Sequence, residues 1–184
     1  MIAARREIEI RWVVFSSNEQ RKQEAFKSAE AFLGSIDRKV MVHDFRDGFL
    51  PYIGTQIKDR FEEIKADFSP DLILTHYRDD LHQDHRLVSE LTWNTFRSHL
   101  ILEYEIPKYD GDFGSPNLFV PLDESVCSRK INTILSAYQS QNGKHWFRSE
   151  LFSSILRLRG MEANARTGYA EGFYCRKAVL GMEG

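Results

Sequence analysis

Apolar residues recur along this chain in short runs and in helical stripes, and the two patterns take turns. Residues 8–16 (IEIRWVVFS) alternate and then run apolar, as a strand does. Ser17 and Asn18 can cap a helix over 19–33, with Phe26, Ala29 and Leu33 on its apolar face and Gly34 just past its end. Residues 39–45 (KVMVHDF) read as a second strand and 46–51 as a loop; Ile57, Phe61 and Ile64 then recur at helical spacing until Pro70. A short apolar run at 71–75 predicts a buried strand. It is followed by a helix from about Gln83 carrying Leu87, Leu91 and Phe96, a strand at 100–106, and a Gly-, Pro- and Asp-rich loop at 107–121. Asp123 can cap a helix bearing Val126, Ile131, Ile134 and Tyr138. A second helix holds Phe152, Ile155 and Leu156, and 172–180 (GFYCRKAVL) closes as a strand. Regular alternation of strands and helices predicts an α/β fold with a mostly parallel sheet covered on both faces.

Length and composition narrow the setting. At 184 residues with 42% hydrophobic content, and with no linker, repeat or low-complexity tract, the chain is read as one domain over 1–184. Its 25 basic and 27 acidic residues give a net charge of −2, without the basic stripe of a nucleic-acid partner. No apolar run is long enough to span a bilayer and the N-terminus lacks a signal-peptide pattern, so a cytoplasmic protein with no transmembrane segment is expected. Cys127 and Cys175 lack CxxC spacing and are read as buried thiols.

Chemistry concentrates in one stretch, THYRDDLHQDHR at 75–86, which packs three His and three Asp into twelve residues directly after a strand. In open α/β sheets ligands bind beyond the carboxyl ends of the strands. His85 offers an imidazole able to hold a metal ion, Asp84 a carboxylate able to orient it, and His82 a second imidazole able to stabilise an oxyanion. The competing reading is a solvated loop whose Asp and His residues cap the next helix and balance Arg78 and Arg86. A catalytic zinc needs about three protein ligands, and this spacing supplies one imidazole with its supporters.

Taken together and in order, several stretches resemble the PIG-L/LmbE-like zinc-dependent N-deacetylases. They are Arg11–Ser17 (RWVVFSS in its full extent), the Phe45-Arg46-Asp47-Gly48 loop, Pro70-Asp71-Leu72, the 75–86 cluster, Leu102-Glu103-Tyr104-Glu105-Ile106-Pro107, Arg157-Leu158-Arg159-Gly160 and Tyr169-Ala170-Glu171-Gly172-Phe173. The resemblance implies a Rossmann-like three-layer fold. It also implies zinc as cofactor, and hydrolysis of the acetamide of an N-acetylglucosamine-type sugar or conjugate as activity. By the family's pattern His85 resembles the zinc ligand, His82 the histidine that stabilises the tetrahedral intermediate, and Asp84 a supporting carboxylate. Arg46, Asp47, Arg78 and Tyr109 are candidate substrate contacts, and Asp110 and Asp112 share the long loop with Tyr109. His76, Asp79 and Asp80 are read as residues of the site's mouth.

One departure matters. The family carries a His-Pro-Asp-Asp element after its first strand, supplying two zinc ligands and the general base, and this sequence has no such element. Residues 11–17 already match the family's second strand. The expectation is therefore a sheet whose first, central strand is missing between 10–16 and 71–75, a doubtful zinc site and impaired hydrolysis. Two exposed strand edges would then invite pairing with another copy. The rival expectation is a non-catalytic glycan-binding or interaction subunit. A general nucleotide-binding protein finds no GxGxxG or P-loop here.

Overall fold

The computed structural model describes residues 8–179. The elements are β1 (Glu9–Ser16), α1 (Glu19–Leu33), β2 (Asp37–Phe45), a 3-10 turn (Leu50–Ile53), α2 (Gly54–Asp67), β3 (Leu72–His76), α3 (Gln83–Thr95), β4 (Leu100–Tyr104), β5 (Leu118–Pro121), α4 (Glu124–Ala137), α5 (Ser149–Glu162) and β6 (Ala170–Tyr174). Helix α1 runs over the predicted residues because both of its ends are specified locally. Asn18 accepts the Arg21 N–H at 2.9 Å, and Gly34, at φ +56°, closes the last turn.

Several boundaries differ from the sequence reading: the strand expected at 39–45 begins at Asp37, and the one expected at 100–106 ends at Tyr104. The loop at 107–121 ends in strand β5, because Leu118, Phe119 and Val120 find an antiparallel partner in β6. The closing strand spans Ala170–Tyr174, after which the chain turns aside so that Arg176 pairs with Glu103; the far end of the expected strand, Leu180, lies outside the described residues. Cys127 is buried as expected, whereas Cys175 is partly exposed beyond the end of β6.

The strands form two separate sheets. β1 and β2 are a parallel pair, and the other four run in the order β3-β4-β6-β5, with β3 parallel to β4 and β6 antiparallel to both of its neighbours. The loop leaving β2 meets the start of α3, where Gly48 N–H donates to Asp84 at 2.7 Å, so β2 and β3 end on the same edge of the molecule. Among the described residues β6 is thus the single strand that runs against the others. Among the described residues no strand lies between β1 and β3 and no backbone ladder joins them, which is the division the sequence led us to expect.

Helices hold the two sheets together. On one face, Phe15 of β1, Phe45 of β2, Ile73 of β3 and Ile101 of β4 share a core with Ile57 and Phe61 of α2 and with Phe96, Phe15 stacking on Phe61 at 4.9 Å. Fully burying side chains of this size contributes roughly 1.5–3 kcal/mol each. On the other face α1 packs against α4, and α4 against α5, around Cys127, Leu156 and Tyr169. This second cover is incomplete, since Leu74, in the middle of β3, is 54% exposed. Gly160 lets α5 meet the turn before β6, because a Cβ there would stand 2.3 Å from the Gly168 carbonyl oxygen.

Urea denaturation should separate these positions. Ile101→Ala, at a fully buried site, is expected to lose about 2–5 kcal/mol, and Gly160→Ala about 1–3 kcal/mol through overpacking. Leu74→Thr, on a neighbouring strand, should change stability by less than about 0.5 kcal/mol. A loss at Leu74 as large as that at Ile101 would contradict the open face.

Candidate functional site

The histidine cluster sits where β3 ends and α3 begins. A turn closed by the Asp80 N–H on the Tyr77 carbonyl (3.2 Å) folds the chain back over the start of α3. This brings Asp80 under the helix, only 2% exposed. One carboxylate oxygen accepts the His82 backbone N–H at 2.8 Å, and the other lies 2.9 Å from His85 Nδ1 and 3.0 Å from Lys108 Nζ. Asp80 is therefore the carboxylate that orients His85, in place of Asp84, and it is no residue of the mouth. Asp84 and His85 are consecutive on a helix and cannot face one another. Asp84 instead accepts the N–H groups of Gly48 (2.7 Å) and Leu50 (3.1 Å), fastening the loop after β2 to the first turn of α3.

These bonds set the two histidines in complementary states. His82 is the N-cap of α3, and its Nδ1 accepts the Asp84 N–H at 3.3 Å, which leaves the proton on Nε2. His85 donates from Nδ1 to Asp80, which leaves a lone pair on Nε2. The rings lie 4.5 Å apart, so the site offers one N–H donor and one lone-pair nitrogen side by side. Burial alone would raise the Asp80 pKa, but His85, the His82 N–H and Lys108 outweigh it and hold the carboxyl well below its usual range. His76 stacks face to face on His85, with centroids 4.1 Å apart and planes 1° from parallel. Burial, helped by His85 and opposed by Asp80, pushes its pKa down to about 3.

Two loops flank the cluster. Lys108 bridges Asp80 and Asp112, and Asp112 accepts the Leu81 N–H at 2.7 Å, so the loop after β4 is fastened to the histidine turn. Asp112 is spent on this attachment and is buried, not offered to a ligand. Tyr109, on the same loop, is 71% exposed. Behind the loop Glu105 takes two nitrogens of Arg159 (2.7 and 3.0 Å) and the Tyr174 hydroxyl (2.9 Å). Beside it, buried Glu103 accepts from Arg176, from Trp93 Nε1 (2.6 Å) and from the Arg78 backbone N–H (2.9 Å), while the Arg78 side chain is exposed. On the opposite side Arg46 lies over the Phe49 ring at 3.6 Å, and Asp47 turns to α1, pairing with Arg21 at 3.3 Å. Among the described residues Tyr109 and Arg78 thus keep free side chains, whereas Arg46 and Asp47 have partners.

Zinc does not fit the described residues. His85 Nε2 has the free lone pair and the anchoring carboxylate of a ligand. His76 cannot join it, because parallel stacked rings aim their lone pairs along separate parallel planes rather than at one ion. No group of three or more His, Cys, Asp or Glu among the described residues is placed to hold a metal ion, and a catalytic zinc takes about three protein ligands.

Sequence reasoning placed Asp80 and His76 at the mouth of the site and missed Lys108. The first two stood in the cluster, and an acid two residues before a helix-capping histidine was the available signal for Asp80. Lys108 lies twenty-three residues beyond His85, and nothing local marks it.

Comparison with known proteins bears on the family and the fold. The sequence profile of the PIG-L family, described as GlcNAc-PI de-N-acetylase, matches residues 5–96. No curated protein sequence matches the chain significantly. Among solved structures the chain is similar to the conserved protein TT1542 from Thermus thermophilus, with 17% identity, a TM-score of 0.70, and 96% of this chain and 85% of that one covered. It is also similar to N,N'-diacetylchitobiose deacetylase from Pyrococcus horikoshii, with 18% identity, a TM-score of 0.62, and coverage of 90% and 72%. A third similar structure is the 4-carboxy-2-hydroxymuconate hydratase GalB from Pseudomonas putida, with 18% identity, a TM-score of 0.62, and coverage of 94% and 86%. Identities this low show a shared fold, and a hydratase beside a deacetylase shows that the fold carries more than one chemistry.

The depressed pKa of His76 gives a pH dependence of known sign. Above about pH 6.5 the residue is neutral both folded and unfolded; below it the unfolded chain takes up a proton that the folded chain refuses. Stability should therefore fall from about pH 6.5 toward pH 3, by at most about 1.4 kcal/mol per pH unit from this group. His76→Gln should flatten that slope in urea titrations. An unchanged slope, or a His76 NMR titration near pH 6.5, would contradict the assignment.

Proposed function

The chain belongs to the PIG-L family, whose profile covers half of it, and from that premise we propose that it is an N-deacetylase relative whose site receives the acetamide of an N-acetylglucosamine-type sugar or conjugate. The observation that carries this reading is the His82–His85 pair at the carboxyl end of β3, with complementary tautomers fixed by Asp84 and Asp80. In it, His82 Nε2–H donates to the acetamide carbonyl oxygen, where negative charge develops as the amide is attacked. Asp84 acts at one remove, by setting the His82 tautomer and fastening the loop that carries Arg46 and Asp47. Arg78 and Tyr109 contact the sugar from the rim. The protein meets its substrate in the cytoplasm, and among the described residues no helix is long and apolar enough to cross a membrane.

The family's metal-dependent hydrolysis is impaired in this chain, because the described residues provide one of the required ligands in His85. A second reading, favoured by the divided sheet, is a non-catalytic member that binds a glycan or assembles with further copies through its free strand edges.

Titration calorimetry with N,N'-diacetylchitobiose, beside an assay for released acetate, separates these readings. The deacetylase reading and the glycan-binding form of the second both predict binding that weakens about 3- to 10-fold in His82→Ala, as one neutral hydrogen bond is lost. The deacetylase reading adds slow acetate release that His82→Ala reduces further, whereas the binding reading gives none. Unaltered affinity in His82→Ala would remove the site from both.

A further inference from the structure

The turn that delivers the histidines also holds up an exposed leucine. Leu81 stands between Asp80, which is buried, and His82, the N-cap of α3, and is itself 56% exposed. Its backbone is not free to turn that side chain inward. The Leu81 N–H donates to Asp112 at 2.7 Å, and the Leu81 carbonyl accepts from Arg86, which also reaches the Asp80 carbonyl at 3.3 Å. Hydrogen bonds to charged groups are the strong ones, and here they fasten both backbone polar groups of one residue. The loop that supplies Asp112 is held as firmly. Lys108 fixes Asp112 itself, and two residues on, the Gly114 carbonyl accepts from Arg159 at 3.1 Å and the Gly114 N–H donates to Glu105 at 3.3 Å. A Cβ at Gly114 would stand 2.6 Å from the Tyr174 hydroxyl and 2.9 Å from that of Tyr77, so the backbone is seated closely on both rings. Between these two clamps Phe113 is 42% exposed. Leu81 and Phe113 thus belong to two fixed segments that meet at Asp112, next to His82.

We infer that Leu81, with Phe113 beside it, is a specificity-determining contact for the acyl group, and that the site takes N-acyl amino sugars whose acyl chain is a few carbons longer than acetyl. The inference rests on the reading in which His82 Nε2–H donates to the acyl carbonyl oxygen. An amide is planar, with the sugar on its nitrogen and the chain on its carbonyl carbon. The chain is therefore attached directly to the group that His82 holds, as Leu81 is attached directly to His82. Its chemistry also fits the wall. A sugar ring carries hydroxyls on most of its carbons, and pressing these against an isobutyl group strips their water without replacing the hydrogen bonds. Methylene groups lose no hydrogen bond there and gain by leaving water. The sugar's own contacts stay with Arg78 and Tyr109. Because both segments are already fixed, no loop has to be ordered when the chain docks, and the burial appears as affinity. An acetyl group ends in a single methyl and covers little of this surface.

The test is titration calorimetry on the purified 184-residue chain with N-acetyl-, N-butanoyl- and N-hexanoylglucosamine. Each added methylene should tighten binding about two- to fourfold, so the hexanoyl sugar should bind at least about tenfold more tightly than the acetyl sugar. Leu81→Ser, at an exposed position whose backbone bonds the change leaves in place, should bring that ratio close to one. Leu81→Met should keep it, as should Leu158→Ser at an exposed leucine of α5. His82→Ala separates the inference from the reading beneath it: every sugar of the series should weaken by a similar factor, with the ratio intact. Equal affinities across the series, a ratio unchanged in Leu81→Ser, or no binding of the hexanoyl sugar would overturn the acyl-chain assignment while leaving His82 its role. Wild-type affinities throughout the series in His82→Ala would instead remove the carbonyl from His82, and the inference with it.

Discussion

An apolar layer, helices α2 and α3 laid across both sheets, holds together two sheets between which, among the described residues, no backbone ladder runs. In a continuous sheet the backbone ladder and the side-chain core reinforce each other; here, between β1 and β3, only the core remains. Phe15, Phe45, Ile73 and Ile101 reach the same helices from four strands and so fix the two sheets in relation to each other. The other face lacks an equivalent bridge over β3, and there the molecule leaves a leucine exposed and a serine hydroxyl without a partner.

The site lies at the end of the same gap. Ligands of open α/β sheets bind at the carboxyl ends of the strands, and β3 delivers the histidine turn to that edge. Asp80 organises it. One carboxylate holds the His82 backbone, orients the His85 ring and anchors Lys108, and through Lys108 and Asp112 it fixes the loop that carries Tyr109. Because three partners hold Asp80 in its ionised form, His85 keeps its lone pair turned away from the carboxylate. The chemistry this supports is one donor and one acceptor nitrogen, enough to orient an amide and short of a complete metal centre.

Much of this was legible in the sequence, for physical reasons. Periodicity and capping residues marked α1, α2 and α3, and the absence of a His-Pro-Asp-Asp element together with the match at 11–17 pointed to the gap before β1 and β3 were seen to be unpaired. The short strand β5 was hidden in a Gly- and Pro-rich loop, since its four residues become a strand only by pairing with β6, more than fifty residues later. The carboxylate that orients His85 was assigned to Asp84 instead of Asp80 for a similar reason. Sequence adjacency suggested that Asp84 serves His85, but helix geometry turns neighbouring side chains apart, and a turn that spacing alone does not specify brings Asp80 underneath. Lys108 reaches the cluster only through the parallel pairing of β3 with β4, a long-range contact without a local motif.

The central claim is that the described residues hold one aligned nitrogen, His85 Nε2, and no complete metal centre. Zinc titration of the purified, metal-stripped 184-residue chain, with elemental analysis after desalting and His85→Ala as control, tests it most directly. The account predicts weak uptake, well below one zinc per chain after desalting. One zinc per chain retained through desalting, and lost in His85→Ala, would contradict it.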